Sequence, residues 1–162
     1  MDIIKFAKLT EDAKIPTKRE GDGCYDLYAS FKETEIMIEP HKTALIPTGV
    51  CSTFPPNYRI ALRERGSNTK WGAIVMAGQI DSNYTGEYFV AIHNSNDIPI
   101  EITKIVDDIT ITEDFIQFPY SKAICQFAIE EVPQVVIQET TAEYIQSLNT
   151  ERGDGKLGSS KK

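Results

Sequence analysis

The feature that most constrains this chain is how short its apolar runs are and how regularly turn residues cut them. Tyr58 to Arg63 alternates, with Ile60 and Leu62 on one face, and Pro55-Pro56-Asn57 turns the chain before it. Thr34 to Glu39 alternates through Ile36 and Ile38 until Pro40. Lys42 to Thr53 carries Ala44, Leu45, Ile46, Val50 and Cys51 around Pro47 and Gly49, which predicts two strand pieces. Alternation of this kind suits a half-buried strand, and Gly, Pro, Asn and Asp supply the turns between strands. Further strands are predicted at Ile3 to Phe6 and Cys24 to Ala29; Ala73 to Met76 is apolar and leads into the central stretch, and Ala123 to Val132 runs up to Pro133. Ile98 to Val106 and Ile109 to Phe118 read as an extended hairpin around Asp107-Asp108, with Pro99 suited to an edge position. Thr10 to Gly23 and Arg65 to Gly72 read as loops. Only Thr141 to Leu148 has a helical pattern, with Thr141 as its cap. Many short strands bounded by turns imply an all-β sandwich or barrel.

The chain has 162 residues, enough for one domain with a substantial core, and shows no internal repeat or domain linker. A net charge of −7 argues against a general nucleic-acid binder, which needs a basic surface, while leaving room for a local basic pocket. No apolar run is long enough to span a bilayer, and the start, Met1-Asp2-Ile3-Ile4-Lys5, lacks the pattern of a signal segment. A cytoplasmic location is expected. Cys24, Cys51 and Cys125 are scattered, so each is expected to be a small buried hydrophobe rather than part of a disulfide framework or zinc site. His41 and His93 read as structural or surface residues.

One stretch concentrates chemistry. Met76 to His93 runs MAGQIDSNYTGEYFVAIH: a small-residue approach, an acid within a turn, then a run with strand propensity. It reads as a β-hairpin with Asp81 at its mouth and Tyr84 near its tip. Such an element offers backbone donors and acceptors, one carboxylate and one aromatic ring. Those groups suffice to hold a base and a sugar and to activate a water.

Five segments, in order, resemble the motifs of the trimeric dUTPase family, in a phage or Gram-positive-type variant. They are Gly23-Cys24-Tyr25-Asp26-Leu27, Arg65-Gly66-Ser67, Ala77-Gly78-Gln79-Ile80-Asp81-Ser82-Asn83-Tyr84-Thr85-Gly86, Ala123-Ile124-Cys125-Gln126, and the tail from Arg152 to Ser160. The resemblance implies a dUTPase-like β-barrel or jelly-roll (β-clip) subunit over residues 1–148. It also implies a mobile C-terminal tail, 149–162, closing over the active site of a homotrimer. The implied reaction is hydrolysis of dUTP to dUMP and pyrophosphate, with Asp81 as general base for water attack on the α-phosphorus. Tyr84 would lie against the deoxyribose, and backbone groups near Gly78 would read the uracil. Arg65, Ser67, Gln126, Arg152 and Ser159 would gather the triphosphate, and Leu157 would stand where the family places a base-covering ring. Magnesium (Mg2+) would ride on the triphosphate, with Asp26 reaching it through water.

The sequence departs from the family pattern at three places. Leu62-Arg63-Glu64-Arg65-Gly66-Ser67 offers two candidate phosphate arginines, Arg63 and Arg65, and Arg65 is preferred because Gly66 and Ser67 follow it. Leu157 replaces a phenylalanine, so Tyr88, Phe89 or His93 is an alternative cover for the base. The span from Ile98 to Ser121 is longer than in compact members, an insertion with room for a protein partner. A related deaminase acting on dCTP would need a glutamate where Ala91 stands. The rival of another class is a non-catalytic nucleotide sensor or protein-binding regulator on the same fold.

Overall fold

The computed structural model describes residues 2–76, 78–150 and 153. The described strands are β1 (Lys5–Lys8), β2 (Tyr25–Tyr28), β3 (Glu35–Ile38), β4 (Thr43–Pro47), β5 (Val50–Thr53), β6 (Tyr58–Arg63), β7 (Ala73–Met76), β8 (Gln79–Ile80), β9 (Phe89–Asn94), β10 (Ile100–Thr103), β11 (Thr110–Ile111), β12 (Ile116–Pro119) and β13 (Ala123–Glu131). One α-helix follows, α1 (Ala142–Ser147), with the Thr141 hydroxyl accepting from the Tyr144 N–H as expected of a cap. The all-β expectation holds. The strands form small sheets ordered β1-β5, β11-β12-β10-β3, β2-β13-β6-β8 and β4-β9-β7.

The core lies between these sheets. Leu27, Ile46, Ile60, Val90, Ile92, Ile100, Ile102 and Ile124 are fully buried, and each sits on the inward side of its strand. Asn94, also fully buried, ties two sheets together. Its Nδ2 donates to the Ile38 and Ile98 carbonyls, both at 2.9 Å, and its Oδ1 accepts from the Asn96 N–H. Of the cysteines only Cys125 is fully buried, and burial pushes its thiol well up. Cys24 and Cys51 are half-buried, which corrects the expectation that all three are core residues.

Three sequence expectations are revised. Gly66–Trp71 is a 3-10 helix rather than a loop, anchored by buried Trp71 stacked on Phe118 at 4.3 Å between centroids. The 98–121 span is no hairpin: β10 pairs with β12 in parallel, and only β11 runs antiparallel to β12. Ile100, Ile102, Ile116 and Phe118 from that span lie in the core, so what projects is 104–115. β10 is also an inner strand, and Pro99, just before it, serves through its carbonyl, which accepts from the Ile116 N–H at 2.9 Å.

The central stretch is also more than a hairpin. β7 and β9 pair antiparallel from Ala73↔Asn94 to Met76↔Ala91, so its outer arms behave as read. Between them the chain leaves that sheet, and β8 pairs with β6 in another. Asn94→Ala, which orphans two buried carbonyls, is expected to destabilise the protein by about 2–3 kcal/mol in urea unfolding.

Candidate active site

The local pattern around Asp81 explains its position. Ile80 enters the core opposite Ile60, while the neighbouring Gln79 is exposed. The chain then turns: the Tyr84 N–H donates to the Asp81 carbonyl at 3.1 Å, closing Asp81-Ser82-Asn83-Tyr84 into one turn. Gly78 lets the backbone approach β6, since its carbonyl accepts from the Leu62 N–H at 2.6 Å and a Cβ there would stand 2.7 Å from the Leu62 carbonyl oxygen. The result is an open recess of about 230 Å³ lined by Gln79, Ile80, Asp81, Tyr84, Glu87 and Phe89. Asp81 and Tyr84 share it, both exposed.

A second, polar cleft of about 730 Å³ gathers Asp26, Arg65 and Gln126 with Thr17, Lys18, Arg19, Asp22, Gly23, Cys24 and Tyr28. Register makes this grouping. β13 lies between β2 and β6, with Gln126 opposite Asp26 on one side and Arg63 on the other. Directly opposed residues share a face of the sheet. The Arg65 guanidinium grips the Asp26 carboxylate as a fork, Nε to Oδ1 at 2.9 Å and Nη2 to Oδ2 at 3.3 Å, with both side chains about one-third exposed. Gln126 Nε2 donates to the Glu64 carbonyl at 2.8 Å, fixing the bend that carries Arg65. Arg63 instead pairs with Glu130, which also holds Arg59, and the two guanidiniums keep the Glu130 carboxyl below its ordinary range.

The structure thus brings Asp26, Arg65 and Gln126 into one place and Asp81, Tyr84 and the Gly78 backbone into another. β2 and β8 are the two edges of one four-stranded sheet. Three strand spacings separate them, about 14 Å. Ser67 is exposed in the first turn of the 3-10 helix, 3.4 Å from Asn68 Oδ1. Arg152, Leu157 and Ser159 lie outside the described residues. Of the alternative rings, Tyr88 is fully buried and His93 hydrogen-bonds Thr43, whereas Phe89 lines the Asp81 recess.

Sequence reasoning missed several residues here. Lys18 and Arg19 sat in a stretch read only as polar loop; the Thr17–Asp26 bridge, with the Asp26 N–H donating to the Thr17 carbonyl at 2.8 Å, brings them to the cleft. Asn68, fully buried, donates to the Ile124 carbonyl at 2.6 Å and pins the turn after Arg65. A single buried amide has no sequence signal. Another recess, about 560 Å³ and lined by Phe6, Tyr25, Phe127 and other apolar groups, has Asp2 as its one acid, already accepting from the Tyr58 hydroxyl. Among the described residues no three His, Cys, Asp or Glu side chains converge to hold a metal ion.

A polar, cation-lined cleft and a separate acid-and-ring recess on one β fold suit a protein that handles a phosphorylated small molecule. The comparisons specify which. The dUTPase family profile matches residues 11–106. The dUTPase of Caldanaerobacter subterraneus subsp. tengcongensis is 37% identical over 111 residues, covering 64% of this chain and 74% of that one. The Chlamydia trachomatis serovar L2 enzyme is 32% identical over 157 residues, 94% of each chain. In fold, the chain is similar to Staphylococcus bacteriophage 80alpha dUTPase solved with dUpNHpp (TM-score 0.75, 20% identity, 98% of each chain covered). The chain belongs to the dUTPase family.

Because Arg65 lines the polar cleft and Arg63 is committed to Glu130, Arg65→Ala is expected to weaken binding of inorganic triphosphate by about tenfold or more in calorimetric titration, the loss of charge-assisted hydrogen bonds. Arg63→Ala is expected to leave it within a few-fold.

Proposed function

We propose that the dUTP hydrolysis that family membership assigns to this chain takes place at a site shared between copies, Asp81 and Tyr84 coming from one and Asp26, Arg65 and Gln126 from another. The observation that carries this is that Asp26 on β2 and Asp81 just past β8, at the two edges of one sheet, line separate recesses. A base that holds the attacking water and an acid that steadies the phosphates through a hydrated ion must serve one and the same triphosphate. With β2 and β8 about 14 Å apart, one copy's Asp81 and another copy's Asp26 are the more economical pair to serve a single triphosphate.

The surface supports assembly as a homotrimer. Leu45, Ile74, Met76 and Phe89 are each more than 40% exposed on the β4-β9-β7 sheet. Leu45 and Met76 flank Ala91 in one cross-strand row, and Phe89 continues into the Asp81 recess. Val135, Val136 and Ile137 beyond β13 are exposed as well. An apolar sheet face beside a catalytic acid is suited to cover by a second copy, which also removes water from the acid's surroundings.

In this mechanism Asp81 takes the proton of the attacking water, whose oxygen bonds to the α-phosphorus as the bond to the bridging oxygen breaks. Pyrophosphate leaves and dUMP remains. Arg65 offers N–H donors to phosphate oxygens while its fork keeps Asp26 in place, and Gln126 fixes the bend behind it. Arg152, Leu157 and Ser159 complete enclosure from the tail. Uracil is read by backbone near Gly78, with Phe89 the ring available beside it, and Tyr84 closes against the deoxyribose. Asp26 fits a hydrated magnesium ion: one partly exposed carboxylate in a polar cleft is enough when the triphosphate supplies the other oxygens. When bound, that ion neutralises charge on the leaving phosphates. The 104–115 excursion, with Ile105 and Ile111 exposed, is the part of the insertion open to a protein partner.

Pyrophosphate release from dUTP is expected to fall by at least about a thousandfold in Asp81→Asn. Asp26→Asn and Asp81→Asn, each inactive alone, are expected to regain about a quarter of wild-type activity when unfolded and refolded together at equal amounts, because one site in four then draws both intact acids. Absence of recovery, with mixed oligomers demonstrated, would place the site within one chain. Leu45→Glu is expected to shift sedimentation towards the monomer and to abolish turnover with it.

A further inference from the structure

Tyr84 is held from behind by Tyr88 and Ser52, which lie outside the five motif segments. Its ring stacks on that of Tyr88 at 6.4 Å between centroids and 26° between planes. Tyr88 is fully buried, and its hydroxyl is hydrogen-bonded to Ser52, itself buried. Tyr88 also meets Phe6 edge-on at 6.0 Å, so the ring is packed against the core as well as against Tyr84. Its backbone is fixed as firmly: the Tyr88 N–H donates to the Val50 carbonyl, and the Tyr88 carbonyl accepts from both the N–H and the hydroxyl of Thr48. Glu87 accepts from the Gly49 N–H at 2.8 Å. Residues 87 and 88 are therefore bolted to the turn between β4 and β5.

Tyr84 closes onto that anchor. Its hydroxyl donates to the Glu87 carbonyl at 2.8 Å. A Cβ at Gly86 would lie 2.7 Å from the Tyr84 hydroxyl oxygen and 2.8 Å from the ring carbon bearing it. Only a glycine leaves the ring where it is. Burial pushes the Tyr88 phenol above its ordinary value, so the hydroxyl that meets Ser52 is neutral at neutral pH.

A ring that excludes a 2′-hydroxyl by crowding can do so only if it cannot move aside; a hydroxyl adds little volume, and a wall that yields slightly admits it. We propose that Tyr88 is a positioning residue for Tyr84. Anchored to Ser52 and backed by the core, Tyr88 fixes the plane of the Tyr84 ring, and with Gly86 it sets how strongly dUTP is preferred over UTP. This rests on the reading that Tyr84 lies against the sugar.

The test is steady-state hydrolysis of dUTP and UTP by the full chain with magnesium, read as the ratio of the two kcat/KM values, with thermal unfolding followed for each variant. Tyr88→Leu is expected to lower the ratio about five- to tenfold, as loss of an aromatic contact implies. Tyr88→Phe, which keeps the ring, is expected to restore most of it even though its Tm falls. Gly86→Ala, which leaves the core intact, is expected to lower the ratio too. A folded Tyr88→Leu protein with the wild-type ratio overturns the proposal, however far its Tm drops. If that variant does not fold, an unchanged ratio in Gly86→Ala overturns it. Tyr84→Ala separates the two readings. An unchanged ratio there means that Tyr84 does not test the sugar, whereas a lowered ratio there with none in Tyr88→Leu removes only the role of Tyr88.

Discussion

Strand β13 is the constraint on which the rest depends. Its first five residues pair with β2, across a bulge between Ala123 and Cys125, and its last six pair with β6, so its position fixes both neighbours. Past the bulge, Cys125 and Phe127 are buried and alternate with the half-buried Gln126, which leaves no freedom to slip by a residue, since a slip would turn the apolar pair to solvent. Register is thus enforced by the core and spent on the surface: it lines up Asp26, Gln126 and Arg63 across the outer face. β6 then carries the same order one strand further, to β8 and the acid that follows it.

The polar cleft shows how a cation and an anion can be kept ready together. Arg65 uses two N–H groups on Asp26 and reaches the Ala123 carbonyl with a third nitrogen, which leaves further donors of its fork for an incoming oxyanion. Asp26 in turn keeps the guanidinium from collapsing onto a neighbouring acid, as Arg63 does onto Glu130. A net acidic chain can in this way hold a local cationic patch for a single triphosphate without becoming a general polyanion binder.

Most strands could be read directly because their apolar residues alternate and their ends carry Pro, Gly or Asn. Tyr58 to Arg63 as a strand and Thr141 to Leu148 as a helix match the structure closely. What the sequence did not reveal is which strand pairs with which. β8 is two residues long, too short for periodicity to show that it leaves the β7–β9 pair for β6. β12 joins β10 in parallel, which adjacency in the chain does not suggest. The 3-10 helix escaped because Gly66, Ser67 and Asn68 are turn residues by composition; Trp71 and the Asn68 side chain impose the helical turn through contacts far away in sequence. The motif residues were legible as residues, but their division between two places was not, because motif order along a chain carries no distance.

The crossover between β10 and β12 has an evolutionary side. Its two ends are clamped by a parallel ladder whose register runs from Ile100↔Ile116 to Thr103↔Pro119, and by core residues on both strands. With the ends held, lengthening the connection adds only the entropy of closing a longer loop, about 0.6 kcal/mol for each doubling. Outside β11 and the Lys104 and Asp108 contacts, sequence can therefore be gained or lost between Lys104 and Phe115 at little cost to folding. That segment is where descendants of one catalytic domain can diverge in what they recognise while the chemistry stays the same.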